Sequence, residues 1–139
     1  MSTYSPTILI VDDESHVRSL LRKTLTYLEC EVVGEANSGH EAVLKYHELR
    51  PDLVLLDHNM PYKTGEEALT EIVNADPRAN IIILSSVTDP AGEQRCLRIG
   101  AKAFMRKDQP LEKIMDTIKD ALAKIREKAE ADAADDRQE

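Results

Sequence analysis

Apolar and polar residues alternate along this chain in two rhythms. Short continuous apolar runs occupy 7–11, 53–56 and 81–84, the pattern of strands buried on both faces of a parallel sheet. Weaker runs at 31–36, with Val32 and Val33 at the centre, and at 102–105, carrying Phe104, predict two further strands. Between them the period lengthens to that of a helix. Val17, Leu20, Leu21, Leu25 and Leu28 form one apolar face, and Ala42, Val43, Tyr46 and Leu49 a second that Pro51 stops. Leu69, Ile72 and Val73 form a third, ending before Pro77. Ser38-Gly39-His40-Glu41 and Thr64-Gly65-Glu66-Glu67 both match the capping box, in which a hydroxyl and a Glu satisfy free N–H groups reciprocally.

Asp89-Pro90 reads as N-cap and first helical residue, with Gly100 closing that helix. Its strong apolar anchors are Leu97 and Ile99 alone, so it is expected to be the least firmly held helix. The last helix starts around Pro110 and uses Leu111, Ile114, Met115, Ile118, Leu122 and Ile125. The heptad-like spacing 111, 115, 118, 122, 125, 129 is widened by Ile114, which favours packing on a sheet over a coiled coil.

Five strand–helix units with short connections predict an α/β fold, (βα)5 and flavodoxin-like. It is a doubly wound parallel sheet with strand order 2-1-3-4-5 and right-handed crossovers. One domain is expected over 1–126. The segment 127–139, alternating Ala with acids, offers nothing to bury and is expected to fray.

Composition narrows the function. A net charge of −8 over 139 residues disfavours nucleic acid and anionic membrane surfaces as partners. No apolar run approaches the roughly 18 residues that span a bilayer. Cys30 and Cys96 are far apart without metal or redox spacing, and read as reduced, mostly buried cysteines of a cytoplasmic protein. His16, His40, His47 and His58 show no ligand clustering in sequence. His16, beside the acidic loop, reads as a partner contact.

The strand ends carry the chemistry. In an open α/β sheet, ligands bind at the carboxyl edge where the strand order reverses. There strand 1 delivers Asp12 and Asp13, strand 3 Asp57, strand 4 Ser85 and strand 5 Lys107. Like charges raise one another's pKa, so three converging carboxylates need compensation. A hard divalent cation, Mg2+, together with Lys107 provides it. Metal, lysine, hydroxyl and a free carboxylate suit phosphoryl transfer with Asp57 as nucleophile.

These residues, with Leu56-Asp57-His58-Asn59-Met60-Pro61 and residues 100–107, resemble a receiver domain of a two-component response regulator from about Thr7 to Ile125. The resemblance implies that Asp57 is the phosphoacceptor, serviced by a sensor histidine kinase or histidine phosphotransfer protein. It implies Mg2+ held by Asp13, Asp57 and the backbone carbonyl of Asn59, with Asp12 acting partly through water. Ser85 and Lys107 would bind the phosphoryl group, and Ser85 and Phe104 would form the switch. Two positions depart from the family. Phe104 stands where many members have Tyr, and Asp108 stands where a cis-proline is usual.

An aspartate-nucleophile phosphatase would want an acid two residues after Asp57, where this chain has Asn59. A nucleotide or flavin site would want a Gly-rich first loop, which here is acidic. The expected protein is therefore not an enzyme beyond its own phosphoryl acceptance and slow autodephosphorylation. Nine Lys/Arg against four acids make 95–126 locally basic. No output domain is recognisable after 126, so the 90–126 face is expected to reach a downstream protein, the alternative being that the chain is an isolated receiver fragment of a longer response regulator. The oligomeric expectation is a monomer or a phosphorylation-dependent dimer.

Overall fold

The computed structural model describes residues 4–138, with side chains through 135. The five predicted strands are β1 (Thr7–Val11), β2 (Glu31–Ala36), β3 (Leu53–Asp57), β4 (Ile81–Ser85) and β5 (Ala103–Arg106). They form one parallel sheet in the order β2-β1-β3-β4-β5. The helices are α1 (Ser15–Tyr27), α2 (Gly39–Leu49), α3 (Gly65–Ala75), α4 (Pro90–Ile99) and α5 (Leu111–Gln138). Two apolar layers sandwich the sheet. One joins Leu9, Val54, Leu56, Ile81 and Ile83 to α2, α3 and Cys96 of α4. The other joins Ile8, Ile10, Leu55 and Ile82 to Leu21 and Leu25 of α1 and Ile114, Ile118 and Leu122 of α5. Side chains of β3 and β4 thus alternate between layers, and every one of them is buried.

Several helical details differ from the sequence reading. Leu20 is 51% exposed, Leu97 44% and Leu111 42%. The anchor of α4 is Cys96, fully buried among apolar neighbours, with Ile99 only half-buried. On α5 the buried stripe runs through Ile114, Ile118 and Leu122, as expected of sheet packing. Only the Thr64 box is complete. At α2, Ser38 accepts from the Glu41 N–H without a return bond. The segment after 126, expected to fray, continues α5 as far as Gln138. Ala, Glu and Lys are strong helix formers and need no burial to extend a helix that packing has already nucleated. Residue 139 lies outside the described residues.

Candidate functional site

Sheet hydrogen bonding continues past the strand ends and fixes where each candidate residue emerges. The Asp12 N–H donates to the Ala36 carbonyl at 3.0 Å, His58 N–H to Leu84 at 2.8 Å, and Lys107 N–H to Ser85 at 2.8 Å. On the far side of Asp57, α3 starts almost against the backbone. The Gly65 N–H donates to the His58 carbonyl at 3.2 Å. A Cβ at Gly65 would lie 2.2 Å from the Asp57 carbonyl oxygen, so only glycine permits this approach. From the other flank, Arg18 Nη1 donates to the Asp12 carbonyl at 2.7 Å, while its Nε bonds Glu35 at 2.9 Å. Paired guanidinium bonds, Arg22 foremost and Arg18 after it, hold Glu35 below the usual carboxylate range against the opposing effect of its burial.

Asp12, Asp13 and Asp57 converge as the sequence predicted, one carboxylate oxygen from each lying within 4.8 Å of the others. They are not equivalent. Asp12 and Asp57 are each 1% exposed, whereas Asp13 is exposed. The repulsion therefore falls on the two buried acids. Lys107 Nζ bridges them, 2.7 Å from Asp12 Oδ2 and 3.1 Å from Asp57 Oδ1. Burial pushes Asp57 up, to about 6; the Asn59 N–H at 3.0 Å pulls it down, Asp12 raises it again and Lys107 lowers it. Burial also works to lower the pKa of Lys107, but its bond to Asp12 and the charge of Asp57 outweigh that and raise it. One lysine against two buried carboxylates leaves the pocket short of positive charge.

Asp57 Oδ2 shows that shortage most plainly, since it is buried and has no hydrogen-bond partner. An orphaned carboxylate oxygen beside two further acids is a fitting donor set for a hard cation. The residues present therefore fit Mg2+.

Ser85 is fully buried at the end of β4. Its Oγ lies 3.2 Å from Asn59 Oδ1 and 2.9 Å from the Val87 carbonyl, and accepts from the Val87 N–H at 3.2 Å. Asn59 Oδ1 also accepts from the Ser86 N–H at 3.0 Å and the Ser86 hydroxyl at 3.1 Å. Sequence reasoning assigned Asn59 only a backbone role, and its amide latches the loop after β4. Phe104 is half-buried, its ring edge-on to His58 at 5.4 Å. A cavity of about 130 Å³ beside it is lined by Thr88, Asp89, Pro90, Glu93, Arg106 and Gln109. There is no cis peptide among the described residues, in keeping with Asp108 at the position after Lys107. His16 is exposed and 3.4 Å from Glu14. The sequence shows no clustering around His58, but the fold brings it within 4.8 Å of potential ligand atoms of Glu66 and Cys96.

Comparison with known proteins agrees with this geometry. Residues 8–119 match the family model of the response regulator receiver domain. The chain belongs to that family. It is 43% identical to the chemotaxis protein CheY of Thermotoga maritima over 100 residues, covering 72% of this chain and 83% of that one. With CheY of Bacillus subtilis it shares 37% over 115 residues, 83% and 96% of the two chains. The crystal structure of the CheX–CheY–BeF3–Mg2+ complex from Borrelia burgdorferi superposes with a TM-score of 0.78 at 30% identity, covering 84% of this chain and 88% of that one. The protein is a receiver domain, consistent with a phosphorylation-activated two-component switch. None of the receiver's described helices is long and apolar enough to cross a membrane.

Proposed function

We propose that Asp57 is the residue on which this receiver takes its phosphoryl group, from a histidine kinase or phosphotransfer protein. The observation that carries the proposal is the buried, unpartnered Oδ2 of Asp57, with Lys107 on the other oxygen of the same carboxylate. A bond forms from a carboxylate oxygen to phosphorus while the donor's phosphorus–nitrogen bond breaks. The histidine nitrogen keeps the electron pair and the phosphoryl oxygens remain on Asp57. Lys107 stabilises the negative charge on the transferring group. Asp13, Asp57 and the backbone carbonyl of Asn59 would hold Mg2+, with Asp12 acting partly through water. When bound, the ion neutralises phosphoryl charge. The only catalysis is of this acceptance and of the slow loss of the group, in a cytoplasmic signalling module.

Phosphorylation turns a side chain of charge −1 into one near −2 with three acceptor oxygens. Lys107, already on Asp57, and Ser85, next to the β4 residue paired with Asp57, are the side-chain donors that would serve them. Ser85 must leave Asn59 and the Val87 carbonyl to serve, which loosens the loop leading into α4. Phe104 then moves toward the space beside Thr88. Reversing a 1:99 equilibrium to 99:1 requires about 5.5 kcal/mol. Two charge-assisted hydrogen bonds at roughly 1.5–3 kcal/mol each supply most of that. The face formed by α4, β5 and α5 would carry the output to a downstream protein.

Amide chemical shifts test this reading. Adding a phosphoryl mimic with Mg2+ should move residues 85–106 and leave α2 unchanged. Ser85→Ala should still accept phosphoryl yet lose most of the remote shifts. Shifts clustered on 39–49 with 87–106 unmoved would overturn the mechanism.

A further inference from the structure

Outside the acidic pocket, a second constellation of potential ligands lies on its α4 side. A ring nitrogen of His58, a carboxylate oxygen of Glu66 and the Cys96 sulfur all lie within 4.8 Å of one another. They come from three elements: the loop after β3, the first turn of α3 and the body of α4. We propose that His58, Glu66 and Cys96 form a zinc site.

Four observations support it. The donors are one nitrogen, one oxygen and one sulfur, the mixture that suits borderline-soft Zn2+ and not Mg2+. Ligand atoms around tetrahedral zinc stand about 3.3–3.8 Å apart, so the cluster needs only about 1 Å of side-chain closure. His58 Nδ1 is buried without a hydrogen-bond partner, an unsatisfied polar atom in one of the three side chains. Arg95 Nε bonds Glu66 Oε1 at 2.8 Å and orients that carboxylate, as supporting groups around metal ligands do. Three protein ligands leave the fourth position to water.

Burial pushes the Cys96 thiol up, to about 11, with Glu66 adding to the effect. The free protein therefore carries a neutral thiol there, and zinc binding must expel its proton to the solvent as the zinc–sulfur bond forms. The site crosses from α3 to α4, so an ion there ties α4 down. Any influence of that tie on signalling rests on the switch reading above, while zinc binding in the unphosphorylated protein does not.

Cobalt(II) reports on such a site, because only a thiolate ligand produces the near-ultraviolet sulfur-to-cobalt charge-transfer band. The unphosphorylated full chain, titrated with Co2+ in excess Mg2+, should develop that band with one equivalent, and Zn2+ should abolish it. Excess Mg2+ fills the acidic pocket and should not displace the band. Cys96→Ala should remove the band and Cys30→Ala should keep it. In competition with a chromophoric chelator, His58→Gln and Glu66→Gln should each weaken Zn2+ binding at least about tenfold. His58→Gln, at a half-buried position, carries the test should Cys96→Ala melt too low to study. Absence of the band in the wild type, its survival in Cys96→Ala, or unchanged zinc affinity in His58→Gln overturns the proposal.

Discussion

Replacing Asp57 with Asn should make the metal-free receiver more stable at neutral pH. Two buried carboxylates share one lysine, and burial raises the pKa of Asp57 from 3.8 to about 6. Between those values the folded protein binds the proton more tightly than the unfolded chain, so stability falls as pH rises through the interval. A shift of roughly two units at 1.36 kcal/mol each amounts to about 3 kcal/mol lost above pH 6. Asn removes the charge and keeps the shape, leaving Lys107 paired with Asp12 alone. At a few degrees per kcal/mol for a domain of this size, the variant should melt roughly 10 °C higher at pH 7.5 in chelator. The gain should shrink as the pH falls through 6 and nearly vanish at pH 4, where the wild-type carboxyl is protonated. Mg2+ should narrow the gap by stabilising the wild type, by about 1.4 kcal/mol at ten times its Kd. Asp13→Ala is the control: Asp13 is exposed, so its removal should change stability by no more than about 0.5 kcal/mol. Thermal melts followed by circular dichroism at several pH values decide the matter. No gain at pH 7.5, or an equal gain at pH 4, would refute the charge argument.

Other perturbations read different parts of the same site. Lys107→Met leaves both buried acids without a cation and should destabilise the metal-free protein by about 3–5 kcal/mol in denaturant titration, with Mg2+ restoring part of the loss. Gly65→Ala drives a Cβ against the Asp57 carbonyl and should cost about 1–3 kcal/mol in the same assay, together with slower phosphorylation from a small phosphodonor. Deleting residues 130–139 should leave the melting temperature within about 1 °C while lowering the helical signal, because among the described residues none of 130–135 belongs to either core layer.

The strands and their order were legible because doubly buried runs such as Leu53–Asp57 leave no ambiguity of face. The acidic pocket was legible for a related reason. In a parallel sheet every strand ends at the same edge, so the residue after each apolar run is placed with the others. Helical faces were read less sharply. Between Leu20 and Leu21 hydropathy offers no choice, and only packing on the sheet selects Leu21. At α4 the eye goes to Leu97, while the buried residue is the adjacent Cys96, small enough to sit flush against the core. Contacts that join distant positions left no trace in the sequence. The Asn59 amide that latches Ser85 and Ser86 is 26 and 27 residues from them, and His58, Glu66 and Cys96 share no spacing. The helical extension past 126 was missed because the sequence reading weighed burial and neglected propensity.

Phosphoryl acceptance on Asp57 is tested most directly by intact mass after incubation with a small phosphodonor and Mg2+. The wild type should gain about 80 Da, one phosphoryl group. Asp57→Ala should gain nothing, and chelator should suppress the wild-type gain. An increment of that size surviving in Asp57→Ala, or undiminished in chelator, would contradict the account.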